Sequence, residues 1–419
     1  MRHVRCAKAV AEDPAVVAVV IAAVDLGEVA AVVVEAAAEA AVVAMVEGAV
    51  VAAEVATTNA SPPVRTRNEK RETAFMFLRL LPLSLIAFLA HAQDASRIDQ
   101  IVQSYVSAKT FMGTVLVARG SGILLSKGYG MANLEWDIPN VPSTKFRLGS
   151  VTKQFTAASI LLLEERGKLK VEDPVKKYMP DAPAAWDKVT VRHLLTHTSG
   201  IPSFTGFSDY RKTEPFETTP EKEVALFRDK PLEFAPGEKW NYSNSGYVLL
   251  GYLIEKISGQ SYASFVKENI FTPLAMKDSG YDLNSEIIRH RAAGYSPGNG
   301  GPVNTGFIHM SIPFSAGSLY STTEDLLRWE QGLFGGKVLS PESLEKMTKP
   351  FLNDYAFGLS VRTKDGHKMI DHGGGIEGFN THLAYYPEDK VTIVVLGNLN
   401  SGSPDEIAGK LGALTHGKQ

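Results

Sequence analysis

Phe146-Arg-Leu-Gly-Ser-Val-Thr-Lys-Gln-Phe155 reads as a loop that runs into the start of a buried helix. The residues from Thr152 to Arg166 include neither proline nor glycine, many are apolar, and Gly167 is a natural stop. Ser150 would then lie at or near the helix N-cap, among unpaired N–H groups at the positive end of the helix dipole. Lys153 follows one turn later on the same face, where it could hold a neighbouring base or lose its own proton in a dry site.

The Ser-x-x-Lys spacing is a weak signal by itself, because it occurs at Ser150, Ser264 and Ser343. Ser264 and Ser343 fall in polar, helix-like stretches, where we expect ordinary surface serines. Taken in isolation, Ser150 would also be interpreted as a capping residue, since serine is favoured at N-caps. Whether Ser150 is a capping residue or a nucleophile must therefore be decided from motifs elsewhere in the chain.

Composition excludes several classes of site. The chain has 419 residues, with 43 basic and 46 acidic side chains, and this balance gives no reason to expect a nucleic-acid partner. Cys6 is the only cysteine, so a disulfide framework or a thiolate metal cluster is impossible. The ten histidines show no close ligand spacing such as His-x-x-x-His, and we therefore expect no metal and no cofactor.

Residues 1–60 are almost entirely alanine and valine, with an acid every few positions and no aromatic residue. They have no steady helical or strand period, and the longest apolar run, Ala15 to Val24, is too short to cross a bilayer. We interpret this composition as low-complexity sequence without a core. Residues 1–75 are therefore expected to be an upstream segment outside the mature protein.

A secretory signal peptide is predicted over 76–92. Met76-Phe-Leu-Arg79 supplies the charged start, Leu80 to Leu89 the apolar run, and Ala90-His-Ala92 the small-x-small cleavage site. Cleavage after the last alanine would leave 93–419 as an exported protein, periplasmic or secreted, with no stable membrane anchor.

The order of elements predicted in 93–419 is helix, strands, a long helical middle, strands and a final helix. The runs that carry these signals are Ile98 to Tyr105 for the first helix, Gly113 to Ala118 and Ile123 to Tyr129 for a hairpin, four strand-like runs between Phe357 and Leu396, and Glu406 to Leu414 for the last helix. This order indicates an α/β fold in which an antiparallel sheet carries the terminal helices on one face. A mostly helical insertion, at about 150–350, interrupts the sheet.

A Ser/His/Asp set of the lipase type is considered and rejected. Gly294-Tyr-Ser-Pro-Gly298 has the nucleophile-elbow spacing, and His372-Gly-Gly-Gly375 matches a lipase oxyanion loop. In that fold the oxyanion loop precedes the elbow, whereas here it follows. Pro297 also lacks the backbone N–H that the residue after the nucleophile must donate. We therefore interpret Ser296 as a turn residue.

A better set consists of Ser150-x-x-Lys153, Tyr242-Ser-Asn244 and His372-Gly-Gly374. Tyr242 is the only one of the 14 tyrosines that begins a Tyr-x-Asn, although alone it would be interpreted as part of a turn. Together, and in this order, these residues resemble the penicillin-recognising serine hydrolases. That family holds class C β-lactamases, D-alanyl-D-alanine carboxypeptidases and β-lactamase-like family VIII carboxylesterases. The Ser-Asp-Asn and Lys-Thr-Gly motifs of class A enzymes are replaced here.

The resemblance covers essentially all of 94–419 and implies a β-lactamase/DD-peptidase-like fold. It also implies hydrolysis through an acyl-enzyme on Ser150, with Lys153 lowering the pKa of Tyr242 and Tyr242 acting as the base. Asn244 would position the substrate amide or ester. The backbone N–H groups of Ser150 and Gly375 would form the oxyanion hole.

The resemblance further implies substrate contacts at His372, Gly373 and Gly374, and a loop-holding role for His197. His372 would stand where a lysine meets a substrate carboxylate. An unperturbed histidine is mostly neutral near pH 7. We therefore expect short-chain esters to be favoured over anionic β-lactams, and β-lactam binding to improve as the pH falls towards 6.

Several substrate classes stay open, since esters, D-amino-acid peptides and β-lactams share this machinery. The alternatives are a penicillin-binding D-alanyl-D-alanine carboxypeptidase, a β-lactamase proper, and a penicillin-binding sensor that deacylates slowly. The expected partner is a small-molecule ester, peptide or β-lactam, and the sequence does not predict the oligomeric state.

Overall fold

The computed structural model of the protein describes residues 93–416, all within the second of the two units into which the chain divides, Ile86–Gln419. The upstream segment 1–75 and the signal peptide predicted over 76–92 lie outside the described residues. Among the helices of 93–416, none has the length and apolar character needed to span a membrane.

A six-stranded antiparallel sheet is the frame of the described domain. Its strands are β1 (Gly113–Arg119), β2 (Gly122–Tyr129), β3 (Ser360–Lys364), β4 (His367–Ile376), β5 (Phe379–Tyr386) and β6 (Val391–Gly397). The spatial order is β3-β4-β5-β6-β1-β2, so the first and last parts of the fold pair through β1 and β6. All residues of β6 are buried, which explains why it is an unbroken apolar run and not an alternating one.

The helices that the site depends on are α1 (93–107), α2 (Thr152–Glu165), α3 (Asn244–Ser258), α4 (Thr323–Phe334) and α5 (Ser403–Thr415). Ile98 of α1 and Ile407 of α5 share one buried cluster with Val115 of β1 and Ile393 of β6. The residues that alternate with these on the strands, such as Leu116, belong to a second cluster on the opposite face. The predicted placement of both terminal helices on one face of an antiparallel sheet is confirmed.

The regular elements between β2 and β3 are mainly helices, joined by long loops. The other helices of this part of the chain are Val191–Leu195, Tyr210–Thr213, Pro220–Arg228, Tyr262–Val266, Phe314–Gly317 and Pro341–Thr348, with a π-helical turn at Lys267–Phe271. Short strand pairs are also present: Phe146–Arg147 and Gly280–Tyr281 flank Leu319–Ser321, Met131–Asn133 pairs with Ile138–Pro139, and Tyr295–Gly298 pairs with Gly301–Asn304. These strands were not predicted from the sequence, because two to four residues are too few to show a period of two.

Helix α2 is buried along most of its length, from Thr152 to Leu163. The Phe155 ring packs on the Trp329 ring of α4, with centroids 4.2 Å apart, and the Trp329 indole N–H donates to the Gln154 side chain. The helix ends just before Gly167, which has a φ of +67°. Because it is enclosed on all sides, α2 holds the residues at its N-terminal end in fixed positions.

Candidate active site

Ser150 lies in a 3-10 turn, Gly149–Val151, that leads directly into α2. Val151 occupies the N-cap position of α2 and no side chain caps this helix end, so Ser150 is close to the cap without serving as one. Gly149 makes the turn possible, because its φ is +52° and a Cβ atom there would lie 2.8 Å from the Gly375 nitrogen. The Ser150 hydroxyl is therefore available for other contacts.

Lys153 is completely buried beneath Ser150. Its Nζ lies 2.9 Å from Ser150 Oγ, 2.9 Å from Asn244 Oδ1 and 2.8 Å from the Ala316 carbonyl oxygen. Burial lowers the pKa of Lys153 well below its usual value. A neutral amine has two N–H groups and one lone pair, which match two carbonyl-type acceptors and one hydroxyl donor. The arrangement thus suits Lys153 as the acceptor of the Ser150 proton.

Tyr242 lies on the other side of Lys153, whose Nζ is 4.9 Å from the centre of the phenol ring. Burial raises the pKa of Tyr242, and a hydrogen bond with Ser150 opposes that rise. The expectation that Lys153 lowers the pKa of Tyr242 does not agree with these directions, since burial favours the neutral form of both groups. A neutral Tyr242 can relay a proton but does not start as a phenolate.

The His197 ring packs against the Tyr242 ring. The two ring centroids are 4.2 Å apart, and the His197 Nδ1 accepts a hydrogen bond from the Ser243 backbone N–H at 3.1 Å. Burial, followed by the neighbouring Lys153, holds the pKa of His197 well below its usual value, so the ring is neutral. These contacts agree with the loop-holding role expected for His197.

Asn244 is the first residue of α3, whose N-cap Ser243 accepts a hydrogen bond from the Gly246 N–H. The Asn244 amide is fixed from both ends: Oδ1 accepts from Lys153, and Nδ2 donates to Thr205 Oγ1 at 3.2 Å. The side chain lines the same cleft as Ser150. Asn244 is thus placed to contact a substrate and to orient Lys153.

The glycines of β4 bring the strand against the loop before Ser150. A Cβ atom at Gly374 would lie 2.0 Å from the Leu148 carbonyl oxygen, so only glycine fits there. Thr381 of β5 donates its hydroxyl to the same carbonyl at 2.8 Å and ties the loop to the sheet. Ser150 and Gly375 consequently line one cleft of about 570 Å³, the placement that the predicted oxyanion donors require.

The lining of this cleft also includes charged side chains that were not predicted from the sequence. Arg211 donates from Nη1 to Glu377 Oε1 at 2.9 Å and to Glu214 Oε2 at 3.2 Å, and all three residues line the cleft. Arg211 and Glu214 are three residues apart on one short helix, whereas Glu377 comes from the distant end of β4 and no local spacing predicts its contact with them. The cleft lining therefore contributes one positive and two negative charges.

His372 and Gly373 do not line this cleft but a second cavity of about 620 Å³, which Tyr242 also faces. The His372 Nε2 lies 2.9 Å from the Tyr355 hydroxyl. Burial, and next the neighbouring Lys153, lowers the pKa of His372 to about 4. His372 is therefore still neutral at pH 6, and the predicted improvement of β-lactam binding towards that pH is corrected: no charge develops there to cause it.

Among the described residues, the side chains that contact Ser296 and Ser264 are neutral, whereas Ser343 forms a hydrogen bond with the Glu165 carboxylate. Ser296 is at the rim of the cleft, where its hydroxyl contacts Thr305 Oγ1 and Asn400 Oδ1. Ser264 and Ser343 lie in the first turns of short helices, and the backbone N–H of each donates to a capping serine. Ser343 is buried and not at the surface as expected.

Comparison with known proteins identifies close similarity over this domain. A model of the Beta-lactamase family matches residues 98–416. Penicillin-binding protein 4* of Bacillus subtilis (strain 168) is 34% identical over 310 residues, which cover 69% of this chain and 68% of that protein. The crystal structure of a penicillin-binding protein from Bacillus halodurans is 30% identical with a TM-score of 0.69, covering 76% of this chain and 99% of the other. D-amino acid amidase from Ochrobactrum anthropi SV3, at 23% identity, a TM-score of 0.70 and coverage of 78% and 100%, shares the fold.

Proposed function

The chain belongs to the Beta-lactamase family of serine hydrolases, and we propose that it hydrolyses small uncharged esters through an acyl-enzyme on Ser150. One observation carries the proposal: the buried Lys153 has its Nζ 2.9 Å from Ser150 Oγ, and its two N–H groups have carbonyl-type acceptors in Asn244 and Ala316. Its lone pair is thereby left for the proton of the nucleophile.

In acylation, Lys153 takes the proton from Ser150 as Oγ attacks the ester carbonyl carbon. The carbonyl oxygen becomes an oxyanion that accepts hydrogen bonds from the backbone N–H groups of Ser150 and Gly375. When the tetrahedral intermediate collapses, the bond to the leaving alkoxide breaks. The proton held by Lys153 passes to that alkoxide through the Tyr242 hydroxyl, and an alcohol leaves.

Deacylation uses the same groups in the opposite direction. A water molecule loses a proton to the Tyr242–Lys153 pair as its oxygen attacks the acyl carbon. Collapse of the second intermediate breaks the bond to Ser150 Oγ, which regains its proton, and a carboxylic acid leaves. The free enzyme is restored with Lys153 neutral.

The preference for uncharged substrates rests on the charges of the cleft. Arg211 is the only cation among the lining residues, and it is already paired with Glu214 and Glu377. His372 is neutral and faces the other cavity. At about 4 Å a charge pair is worth about 1 to 4 kcal/mol, depending on screening, and a substrate carboxylate gains none of this here. An ester without a carboxylate loses nothing.

A penicillin-binding protein that acylates and deacylates slowly is the second candidate. It is favoured by the 34% identity to a protein named for penicillin binding. This candidate uses the same Ser150, so acylation alone does not separate the two. The rate of deacylation does, because a sensor would give one equivalent of product and then stop.

The proposal is tested with the full chain on three substrates: a p-nitrophenyl ester of a short acid, a chromogenic cephalosporin and a D-Ala-D-Ala peptide. We expect steady turnover of the ester, with a higher kcat/KM than for the other two. Ser150→Ala should reduce turnover to background, whereas Ser296→Ala and Ser264→Ala should retain it. Mass spectrometry after fluorophosphonate treatment should place the adduct on the peptide that contains Ser150. Ester turnover that survives in Ser150→Ala would refute the proposal.

A separate substitution tests the proposed preference for uncharged over anionic substrates. Glu377→Gln removes one of the two carboxylates that hold Arg211, so the guanidinium becomes freer to pair with an anionic substrate. Exposed ion pairs are worth up to about 1 kcal/mol, which corresponds to a rise of up to about fivefold in the cephalosporin-to-ester ratio of kcat/KM. Glu324→Gln, a substitution on α4 outside the cleft lining, is the matched control and should leave the ratio unchanged. An unchanged ratio in Glu377→Gln would show that these charges do not set the preference.

We also propose that the protein is exported, as the sequence over 76–92 predicts. Expression of the full chain in a bacterial host, followed by fractionation and N-terminal sequencing, tests this. The expected mature terminus is Gln93, and a protein retained whole inside the cell would contradict the proposal.

A further inference from the structure

We propose that His367, Asp389 and His416 form a binding site for a divalent transition metal, remote from the catalytic cleft. His367 begins β4, Asp389 lies in the turn between β5 and β6, and His416 directly follows α5. Gly375 is eight residues further along β4 than His367 (375 − 367). At about 3.3 Å per residue, the proposed site is roughly 26 Å from the oxyanion strand position.

The three side chains already approach each other closely. One potential ligand atom from each lies within 4.8 Å of the other two. Asp389 Oδ2 is 2.6 Å from His416 Nδ1 and 3.9 Å from His367 Nδ1. The two imidazole rings are stacked, with centroids 3.9 Å apart and planes 11° from parallel. The three residues thus place two ring nitrogens and one carboxylate oxygen close together, as the ligands of one ion would be.

The burial of the His416 imidazole is a second observation that points to a ligand. Its side chain is only 2% exposed, and the Tyr386 ring packs against it with centroids 4.6 Å apart. Within 93–416 its Nε2 has no hydrogen-bond partner, whereas its Nδ1 is paired with the Asp389 carboxylate at 2.6 Å. A buried polar group without a partner is costly and rare in native proteins. A metal ion between the three side chains would be held by this buried ring together with His367 and Asp389.

The ligand set selects the class of metal. Two imidazoles and one carboxylate suit Zn²⁺ and neighbouring ions such as Co²⁺ and Ni²⁺, with water in the remaining position. Parallel rings do not aim their lone pairs at one point, so one ring must rotate on binding. His367 is the ring that can do so, since about 32% of its side chain is exposed. Arg119, which donates to the Thr415 carbonyl, adds a nearby positive charge that opposes cation binding and limits the affinity.

The consequence of binding is structural. A metal at this position joins the end of α5 to the start of β4 and to the β5–β6 turn, three segments that are separate in sequence. Because it binds only the folded arrangement, the metal should raise the unfolding temperature. It takes no part in ester hydrolysis at a cleft this far away.

The test uses the full chain, stripped with a chelator and desalted, and titrated with Zn²⁺ by calorimetry, with thermal unfolding followed in parallel. Wild type should bind one more equivalent than Asp389→Asn or His416→Gln, and only wild type should show the full rise in unfolding temperature. The matched control His290→Asn, at an exposed histidine outside the cluster, should behave as wild type. Co²⁺ should give the visible absorption of a low-symmetry site in wild type and in His290→Asn only.

Equal zinc stoichiometry and equal thermal shifts in wild type, Asp389→Asn and His416→Gln would overturn the proposal. Zinc bound by residues outside 93–416, such as His3 or Cys6, would remain in all variants and so would not imitate the expected difference. Asp389→Asn changes one exposed turn residue and keeps its shape. It therefore keeps the test decisive if His416→Gln weakens the end of α5.

Discussion

Lys153 shows how burial converts an ordinary residue into a reactive one. Its contacts are the Ser150 hydroxyl, the Asn244 side-chain oxygen and the Ala316 carbonyl, with no carboxylate among them. Without a compensating negative charge, the protonated form is penalised and the pKa of Lys153 falls. The same burial raises the pKa of Tyr242. In the resting site both groups are therefore neutral, and the amine is the group available to accept a proton.

This assignment predicts unequal effects of two substitutions. Lys153→Met should lower kcat for a short-chain ester by about 10² to 10⁴, the usual contribution of a general base. Tyr242→Phe should cost less in the acylation step, because it removes a relay and not the base. Stopped-flow measurement of the acylation rate in both variants tests the order. A larger acylation defect in Tyr242→Phe would restore the phenol as the primary base.

At the scale of elements, the site exists because β4 and the start of α2 touch through their backbones. Gly374 allows this contact, since any Cβ there would overlap the Leu148 carbonyl oxygen at 2.0 Å. The contact sets where the N–H of Gly375 lies relative to Ser150. A small change on the strand should thus reach the oxyanion hole without altering any side chain of the site.

Gly374→Ala is predicted to push β4 away from the loop before Ser150. The forced backbone shift should cost about 1 to 3 kcal/mol in the free energy of unfolding. Loss of one oxyanion donor should lower kcat by about 10² to 10³. Gly300→Ala is the matched control, because a Cβ there meets nothing within 4 Å, and its kcat and denaturation midpoint should equal those of wild type. A Gly374→Ala variant with normal kcat would mean that the close approach is not needed.

The long elements and the order of the fold were predictable because their signals are local. The central helix was predicted from Thr152 and observed to begin there, and the early hairpin matches β1 and β2 within one residue at each end. Ser150, Lys153, Tyr242 and Asn244 were found because short motifs carry them. The structure brings these four together.

The features of the site that could not be predicted from the sequence depend on burial and on contacts between distant segments. Arg211 and Glu377 meet only because the short helix Tyr210–Thr213 lies opposite the end of β4. The neutrality of His372 follows from its burial, which no motif reports. The expectation of no metal site used spacing along the chain, and spacing cannot reveal His367 and His416, which are 49 residues apart (416 − 367).

For the molecule as a whole, the helical insertion and the sheet enclose acids that are not part of the site. Glu330 of α4 is 3% exposed, and its Oε2 has no hydrogen-bond partner within 93–416. Burial raises its pKa to about 8. Glu223 is a second such group, with a pKa raised by burial to about 7. Both are neutral acids in the folded protein over part of the pH range in which the unfolded chain is charged.

These acids make the folded protein less stable as the pH rises. A carboxyl whose folded pKa lies above its unfolded pKa binds its proton more tightly when folded, so its contribution is fully present below about pH 4.5 and is lost as the pH rises to about 8. Between pH 4.5 and 7, Glu330 alone should remove about 3 kcal/mol, at about 1.4 kcal/mol per pH unit. Glu330→Gln should abolish this part of the slope and unfold at higher denaturant concentration than wild type at pH 7.5. Glu324→Gln, on the exposed face of the same helix, should keep the wild-type slope. Urea unfolding at pH 5, 6.5 and 8 measures all three proteins, and identical pH dependence in wild type and Glu330→Gln would show that this carboxyl is not held neutral in the folded state.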